Sequence, residues 1–252
     1  MKHLDFTIDF ETCALTANAA PMQVAIVPWR REAQDDPFVV DDGFVVSEEV
    51  ASAWPEPYEA FIDLRTCVVE GMDFDAKTVE WWTRQSENAK RAVCKELAEP
   101  VADVTVGALN YLRDIVKQLQ LDSICLWAHG MDVDCAILRS LCRRFDIYLE
   151  NIIPHTSLRD CRTVILEAAY KLACRQQLEA VATSETLLQD GTHVPCPAVS
   201  PQEVLSGSKR AYDFFPPLPS HYAEGREAHD ALYDAVRSSW NTWQALKWLR
   251  QS

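Results

Sequence analysis

The sequence predicts an α/β fold in which strands come first and helices then alternate with strands. Residues 4–10 alternate apolar and polar side chains, which is the period of a half-buried strand. Residues 123–128 form a short, nearly all-apolar run, as expected of a central strand covered on both faces. The chain has 252 residues, of which 48% are hydrophobic and 25% charged, so it is long enough for one large domain with a substantial core.

Two more strands are predicted between these, at residues 22–29 and 58–66. The connection over residues 30–57 is acidic and contains three prolines, and Asp41-Asp42-Gly43 within it predicts a tight hairpin turn.

Helical periodicity predicts the remaining elements, with Asp103 as an N-cap and a break near Ser86. The predicted helices cover residues 76–97, 103–120, 132–145, 160–188 and 227–249. Residues 190–226 hold six of the 13 prolines and three of the seven glycines, which predicts an irregular insertion within a single domain spanning residues 1–252.

Composition narrows the class of protein. No apolar run of about 18 residues occurs, which excludes a membrane-spanning helix. The N-terminus lacks an apolar signal segment, and nine scattered cysteines contain no C-x-x-C pair, so we expect reduced thiols in a cytoplasmic protein. The net charge of −14 argues against a surface that grips a long polyanion.

The first candidate site is the pair Asp9 and Glu11. Residues two apart on a strand point to the same face, so both carboxylates project together. Such like charges repel unless a cation compensates them, and hard oxygen ligands suit Mg²⁺ or Mn²⁺. The alternative is that both acids lie on the solvated face of an edge strand.

Two further acidic groups follow predicted elements. Asp132 and Asp134 come directly after the apolar strand, at the end where ligands gather in open α/β sheets, although Asp132 is also well placed to cap the next helix. His229, Asp230 and Asp234 open the last helix, where helical spacing would align Asp230 with Asp234. Capping and compensation of the helix dipole are the alternative there.

Taken together, D-x-E on the first strand, G-x-x-x-D after a central strand and H-x-x-x-x-D at a late helix resemble the DEDDh 3′–5′ exonuclease superfamily, whose fold is like ribonuclease H. More closely, the chain resembles the RNase T-like, bacterial and phage exoribonuclease-type branch. The match rests on Asp9-Phe10-Glu11-Thr12, on residues 128–130, 80–86 and 158–163, and it extends over residues 4–249. It departs at Val133, where an aromatic residue is expected, and in residues 190–226.

The resemblance implies a mixed central sheet flanked by helices and a two-metal hydrolysis of phosphodiester bonds at the 3′ end of single-stranded RNA or DNA. It assigns Asp9, Glu11, Asp134 and Asp234 as ligands of two divalent cations, Mg²⁺ or Mn²⁺, and His229 as the general base. It thereby prefers Asp134 to Asp132 and Asp234 to Asp230. It also implies a homodimer.

The expected substrate contacts are Trp81 and Trp82, which would stack on a terminal base, and Arg84, Arg159 and Arg162, which would bind phosphates. The alternatives are core packing for the tryptophans and structural ion pairs for the arginines. Two bound divalent cations would change the net charge from −14 to −10, so we expect a few nucleotides to be held rather than a long strand. The rival functions are a metal-dependent phosphatase or nucleotidase and a non-catalytic nucleic-acid-binding module.

Overall fold

The computed structural model describes residues 2–39, 54–95, 97–187, 199–207 and 209–251. The chain divides into two compact units, Met1–Cys161 with Leu218–Trp240 and Arg162–Pro217 with Asn241–Ser252. Every residue that the sequence assigns to the site belongs to the first unit, except Arg162. The single domain over residues 1–252 stays a prediction.

A five-stranded mixed sheet forms the centre of the first unit, in the order β3-β2-β1-β4-β5. β1 pairs antiparallel with β2 and β2 with β3, whereas β1 with β4 and β4 with β5 are parallel. The strands are β1 (His3–Thr12), β2 (Pro21–Trp29), β3 (Tyr58–Phe61), β4 (Ser123–Ala128) and β5 (Leu158–Asp160). The predicted α/β, ribonuclease H-like mixed sheet flanked by helices is confirmed.

Apolar and polar side chains alternate along β1, so the strand has one face in the core and one polar face. The apolar face contributes four buried side chains to the main core, namely Leu4, Phe6, Ile8 and Phe10. The opposite face carries Asp5, Thr7, Asp9 and Glu11. The same period therefore both anchors the strand and directs Asp9 and Glu11 together.

Helices account for most of the rest of the described chain. They are α1 (Leu64–Val69), α2 (Ala76–Thr83), α3 (Glu87–Val93), α4 (Val101–Gln118), α5 (Asp134–Arg144), α6 (Cys161–Leu187), α7 (Pro201–Leu205) and α8 (Ala231–Gln251). Among the residues described, none of these helices is both long and apolar enough to cross a bilayer.

Side-chain caps decide where several helices begin. Ser86 accepts a hydrogen bond from the Ala89 amide at 3.0 Å, so the break predicted near Ser86 is confirmed. The strand predicted at residues 58–66 is wrong beyond Phe61, because Asp63 caps α1 by accepting from the Arg65 amide at 3.0 Å.

Three helices begin elsewhere than predicted. α4 begins at Val101, which places Asp103 in its first turn rather than at its N-cap. α5 begins at Asp134 after Val133, so the capping role expected of Asp132 is wrong. α8 begins at Ala231 instead of residue 227.

Two short features escaped the sequence. β5 has only three residues, too few for a period to be recognised. Within the proline-rich segment, residues 199–226 hold α7 and two 3₁₀ helices, Lys209–Phe214 and Ser220–Tyr222. The hairpin turn expected at Asp41-Asp42-Gly43 lies outside the described residues.

A charged network closes the amino end of β1, away from the acidic pair. Asp5 is fully buried and accepts hydrogen bonds from Trp127 Nε1 at 2.6 Å and from the Arg31 guanidinium, Nε at 2.8 Å. Burial opposes the ionisation of Asp5, but the Arg31 and His3 hydrogen bonds outweigh it and hold the pKa of Asp5 below its usual range. The Asp5 carboxylate in turn raises the pKa of His3 to about 9.

This raised pKa makes a prediction about stability. Protonated His3 stabilises the fold fully below about pH 6.5, and the contribution is lost as the pH rises toward about 9. The melting temperature of a His3→Asn variant should therefore lie below that of the wild type at pH 6, and the gap should narrow by pH 9.5. A gap that does not change with pH would contradict the ion pair.

Candidate active site

The carboxyl end of β1 brings the acidic pair beside the residue that follows β4. β4 pairs with β1 only as far as Ile8 opposite Ala128, so the Phe10 amide lies beyond that ladder. Asp134, in the first turn of α5, accepts a hydrogen bond from this amide through Oδ1 at 3.0 Å. The buried Asp134 carboxylate is thus held next to the strand that carries Asp9 and Glu11.

The segment that enters α8 supplies the other side of the site. The His229 amide donates to Asp234 Oδ2 at 2.8 Å, which ties the two residues together. One ligand atom each from Glu11, His229 and Asp234 lies within 4.8 Å of the others. The structure therefore brings together Asp9, Glu11, Asp134, His229 and Asp234, as the sequence predicts; their individual roles stay predictions.

Burial and the repulsion between carboxylates both raise pKa values in this cluster. Burial, followed by the charges of Asp134 and Glu11, raises the pKa of Asp9 well above its usual range. Burial, followed by the charges of Asp234 and Asp134, raises the pKa of Glu11 to about 8. Burial also raises the pKa of Asp234, against the hydrogen bond from the His229 amide. Burial and mutual repulsion together therefore disfavour the ionisation of these carboxyls.

A divalent cation fits this donor set. Carboxylate oxygens are the ligands that Mg²⁺ and Mn²⁺ prefer. Such an ion would neutralise the negative charges of the carboxylates and so remove their mutual repulsion. Asp9, Glu11, Asp134 and Asp234 offer the oxygens, and His229 lies within reach of Glu11 and Asp234.

Asp134 and Asp234 have environments different from those of the neighbouring acids Asp132 and Asp230. Asp132 is exposed, whereas Asp134 is 5% exposed. Asp230 is also buried, but its carboxylate accepts from the Leu232 amide at 3.0 Å and from Arg226 at 2.9 Å. Asp230 therefore caps α8 and pairs with Arg226, while Asp234 remains beside Glu11.

A polar network beside the site was missed by the sequence reasoning. It consists of Gln23 on β2, Glu59 on β3, Arg226 and Asp230. Gln23 is fully buried and lies within an otherwise apolar strand. A polar residue in such a run requires a buried partner, and that was the available signal.

The two adjacent tryptophans have different environments. Trp82 is 9% exposed and its Nε1 donates to the Thr12 carbonyl at 2.9 Å, so its indole packs in the core behind β1. Trp81 is 40% exposed, and its ring meets the His229 imidazole edge-to-face with the centroids 4.7 Å apart. Of the two, only Trp81 leaves part of its ring exposed beside His229, and its stacking on a base stays a prediction.

The predicted phosphate-binding arginines have different environments. Arg84 is exposed and pairs with Glu80 one turn earlier on α2. Arg159, on β5, donates to the carbonyls of Thr156 and Leu158. Arg162 is exposed and belongs to the second unit. The phosphate contacts of all three stay predictions.

A mixed sheet of this order, with an acidic cluster at the carboxyl end of its first strand, places the chain in the ribonuclease H-like fold class. More specifically, the chain belongs to the family of Rv2179c-like 3′–5′ exoribonuclease domains, whose sequence profile matches residues 4–194. The membership that the sequence motifs predict, in the 3′–5′ exonucleases, is confirmed at this level.

Two crystal structures of E. coli exonuclease I are similar to the chain in fold. The zinc-bound complex with ssDNA has a TM-score of 0.47 and 13% identity over 100% of this chain and 41% of that chain. The complex with a 5cy-dA13 oligonucleotide has a TM-score of 0.47 and 12% identity over 99% of this chain and 43% of that chain. The chain thus spans less than half the length of these enzymes. No curated protein sequence matches it.

Proposed function

We propose that the protein is a metal-dependent 3′–5′ exonuclease that removes nucleotides from the 3′ end of single-stranded RNA or DNA. One observation carries the proposal: four carboxylates and one histidine, from β1, α5, α8 and the segment that enters α8, converge at the carboxyl end of β1. The family to which the chain belongs supports the direction of cleavage and favours RNA.

Each side chain has a distinct part in this reaction. Asp9, Glu11, Asp134 and Asp234 would hold two Mg²⁺ or Mn²⁺ ions. When bound, such ions favour hydroxide over water and stabilise the charge on the departing 3′ oxygen. His229 accepts the proton of the attacking water and so acts as the general base. The products are a nucleoside 5′-monophosphate and a strand shortened by one residue.

Trp81 has the geometry to orient the terminal nucleotide. It is half exposed and its ring touches His229, so a base stacked on it would lie next to the general base. Stacking on an aromatic side chain is worth about 1–3 kcal/mol per base and tolerates any sequence.

The decisive experiment uses 5′-labelled oligonucleotides of RNA and DNA, single- and double-stranded, with Mg²⁺ or Mn²⁺. We expect a ladder of products that shortens by one nucleotide from the 3′ end, and no ladder with the Glu11→Gln variant. Release of phosphate from mononucleotides without any ladder would instead indicate a phosphatase or nucleotidase. Binding without cleavage would indicate a non-catalytic module.

Salt dependence tests how many phosphates the protein holds. With the three candidate arginines as the only phosphate contacts, the slope of log Kd against log salt should be about 2 in magnitude for a single strand. The affinity of a His229→Asn variant for a labelled oligonucleotide, titrated with KCl, measures it. A slope of about 5 or more would mean an extended binding track, against the −14 charge.

The homodimer and the cytoplasmic location both stay predictions. Light scattering of the purified protein would measure the oligomeric state directly.

A further inference from the structure

The backbone of His229 has a conformation that its surroundings must maintain. Its φ is +70°, in the left-handed region, which a residue other than glycine seldom adopts. A hydrogen bond from its amide to Asp234 Oδ2, 2.8 Å long, holds one side of this turn. The other side continues directly into Asp230, so whatever fixes Asp230 also fixes the turn.

Arg226 joins Asp230 to a strand of the sheet. Its guanidinium binds both oxygens of Glu59 on β3, at 2.8 and 2.9 Å, and both oxygens of Asp230, at 2.9 Å each. Asp230 is 7% exposed and Glu59 21% exposed, so water screens these pairs only in part. Without Arg226 the two carboxylates would repel each other in this confined space.

Gln23 links the same network to the strand that carries the acidic pair. Its amide nitrogen donates to Glu59 Oε1 at 2.8 Å and to Asp230 Oδ1 at 3.3 Å, and its Oε1 accepts from the Ala231 amide at 3.0 Å. Gln23 is also the cross-strand partner of Glu11 in the β1–β2 ladder. Gln23 thereby fixes the position of the start of α8 relative to Glu11.

We propose that Arg226 is a positioning residue that holds the His229 imidazole over Glu11 and Asp234. It acts by cross-linking Glu59 on β3 to Asp230, so that the left-handed turn at His229, directly before Asp230, has a single arrangement. The inference rests on the proposed function, in which His229 is the general base. Arg226 itself touches none of the five proposed catalytic residues through its side chain in the contacts described.

The test is an Arg226→Met variant, which removes the charge but keeps most of the side-chain stem. We expect kcat on a single-stranded oligonucleotide to fall about 10–100-fold, as is usual when a group that orients a catalytic residue is lost. KM should change less than about threefold. The matched control is Arg65→Met, which removes an arginine from an exposed pair with Asp63 and should leave kcat unchanged.

A double variant shows whether Arg226 acts through His229. In a His229→Asn background the Arg226→Met substitution should cost no further activity, because the group it positions is gone. Losses that multiply would overturn the proposal. Arg226→Lys serves if Arg226→Met does not fold: it keeps the charge, but a single ammonium cannot bind two carboxylates in a fixed fork, so kcat should still fall. Unchanged kcat with Arg226→Lys and Arg226→Met would equally overturn it.

A readout independent of turnover comes from the ring of Trp81. Because the His229 imidazole lies 4.7 Å from it, the histidine proton resonance should be displaced by the ring current, and the His229→Asn variant assigns that signal. In metal-free Arg226→Met protein this resonance should move toward the position of an exposed histidine; an unmoved resonance contradicts the proposal. If the wild type cuts no oligonucleotide while the resonance still moves, the proposed function fails and the positioning contact stands.

Discussion

Replacing His229 with alanine or asparagine is expected to lower kcat by about 10²–10⁴-fold, the usual contribution of a general base. That loss corresponds to about 3–5 kcal/mol of transition-state stabilisation. The four carboxylates remain in place, so affinity for Mn²⁺ and for the oligonucleotide should change little. Single-turnover cleavage of a labelled oligonucleotide, with metal affinity measured in parallel, checks this expectation.

Two variants are needed because of the His229 backbone. Alanine disfavours the left-handed conformation at φ +70°, whereas asparagine is several-fold enriched there. A loss that arose from a distorted turn would be larger in His229→Ala than in His229→Asn. Equal losses would assign the effect to the missing imidazole.

His155→Ala is the matched control, since His155 is exposed in a 3₁₀ helix and lies outside the acidic cluster. It should retain wild-type turnover. Turnover like that of the wild type in both His229 variants would exclude His229 as the base.

The acidic residues of the site could be predicted because two independent sequence patterns point to the same edge of the sheet. Alternation along β1 directs Asp9 and Glu11 to one face, and the apolar run of β4 marks the edge at which Asp134 emerges. Neither fact depends on distant contacts. The choice of Asp134 over Asp132 came from the family resemblance, and the buried position of Asp134 now supports it.

Tertiary contacts decide the features that the sequence left open. Trp81 and Trp82 are adjacent on one helix, and only the hydrogen bond to the Thr12 carbonyl shows that Trp82 packs inward. Gln23 and Arg226 are 203 positions apart, and each meets Glu59 only when β2, β3 and the segment before α8 assemble. The polar Gln23 in an apolar run indicates that a buried partner exists, but local patterns do not say which residue that partner is.

The predicted starts of α5 and α8 were wrong for a similar reason, because tertiary contacts decide them. Several acids near each helix start can cap it, and the sequence does not say which carboxylate is already engaged elsewhere. Asp134 is held by the Phe10 amide of β1, and Asp230 is the acid that caps α8. A separate acid thus caps α8, whereas no side chain caps the start of α5.

The metal-free protein is expected to lose stability as the pH rises from about 4.5 to about 8. Glu11 has its pKa raised to about 8, so the folded protein binds a proton there that the unfolded chain has released. A raised carboxyl pKa means that the fold is favoured below the unfolded value and penalised once Glu11 ionises. Asp9, whose pKa is also raised, adds to the same trend.

Glu11→Gln should remove part of this penalty and reveal the cost of assembling a metal site. In EDTA the variant is expected to melt at the wild-type temperature near pH 5 and several degrees above it near pH 8, since about 1 kcal/mol shifts the melting temperature of a chain of this size by about 2–4 °C. Glu150→Gln, which neutralises an exposed acid in a 3₁₀ helix, should show no such difference.

Adding Mg²⁺ or Mn²⁺ should reverse that order. A bound cation must displace the protons that the raised pKa values of Glu11 and Asp9 favour. The rise in melting temperature with metal should therefore be larger at pH 8 than at pH 6 in the wild type. It should be much smaller in Glu11→Gln, which has lost one ligand. If the melting temperature of the wild type does not change with divalent metal at pH 8, the metal site is contradicted. No cation would then bind to relieve the repulsion among Asp9, Glu11 and Asp134.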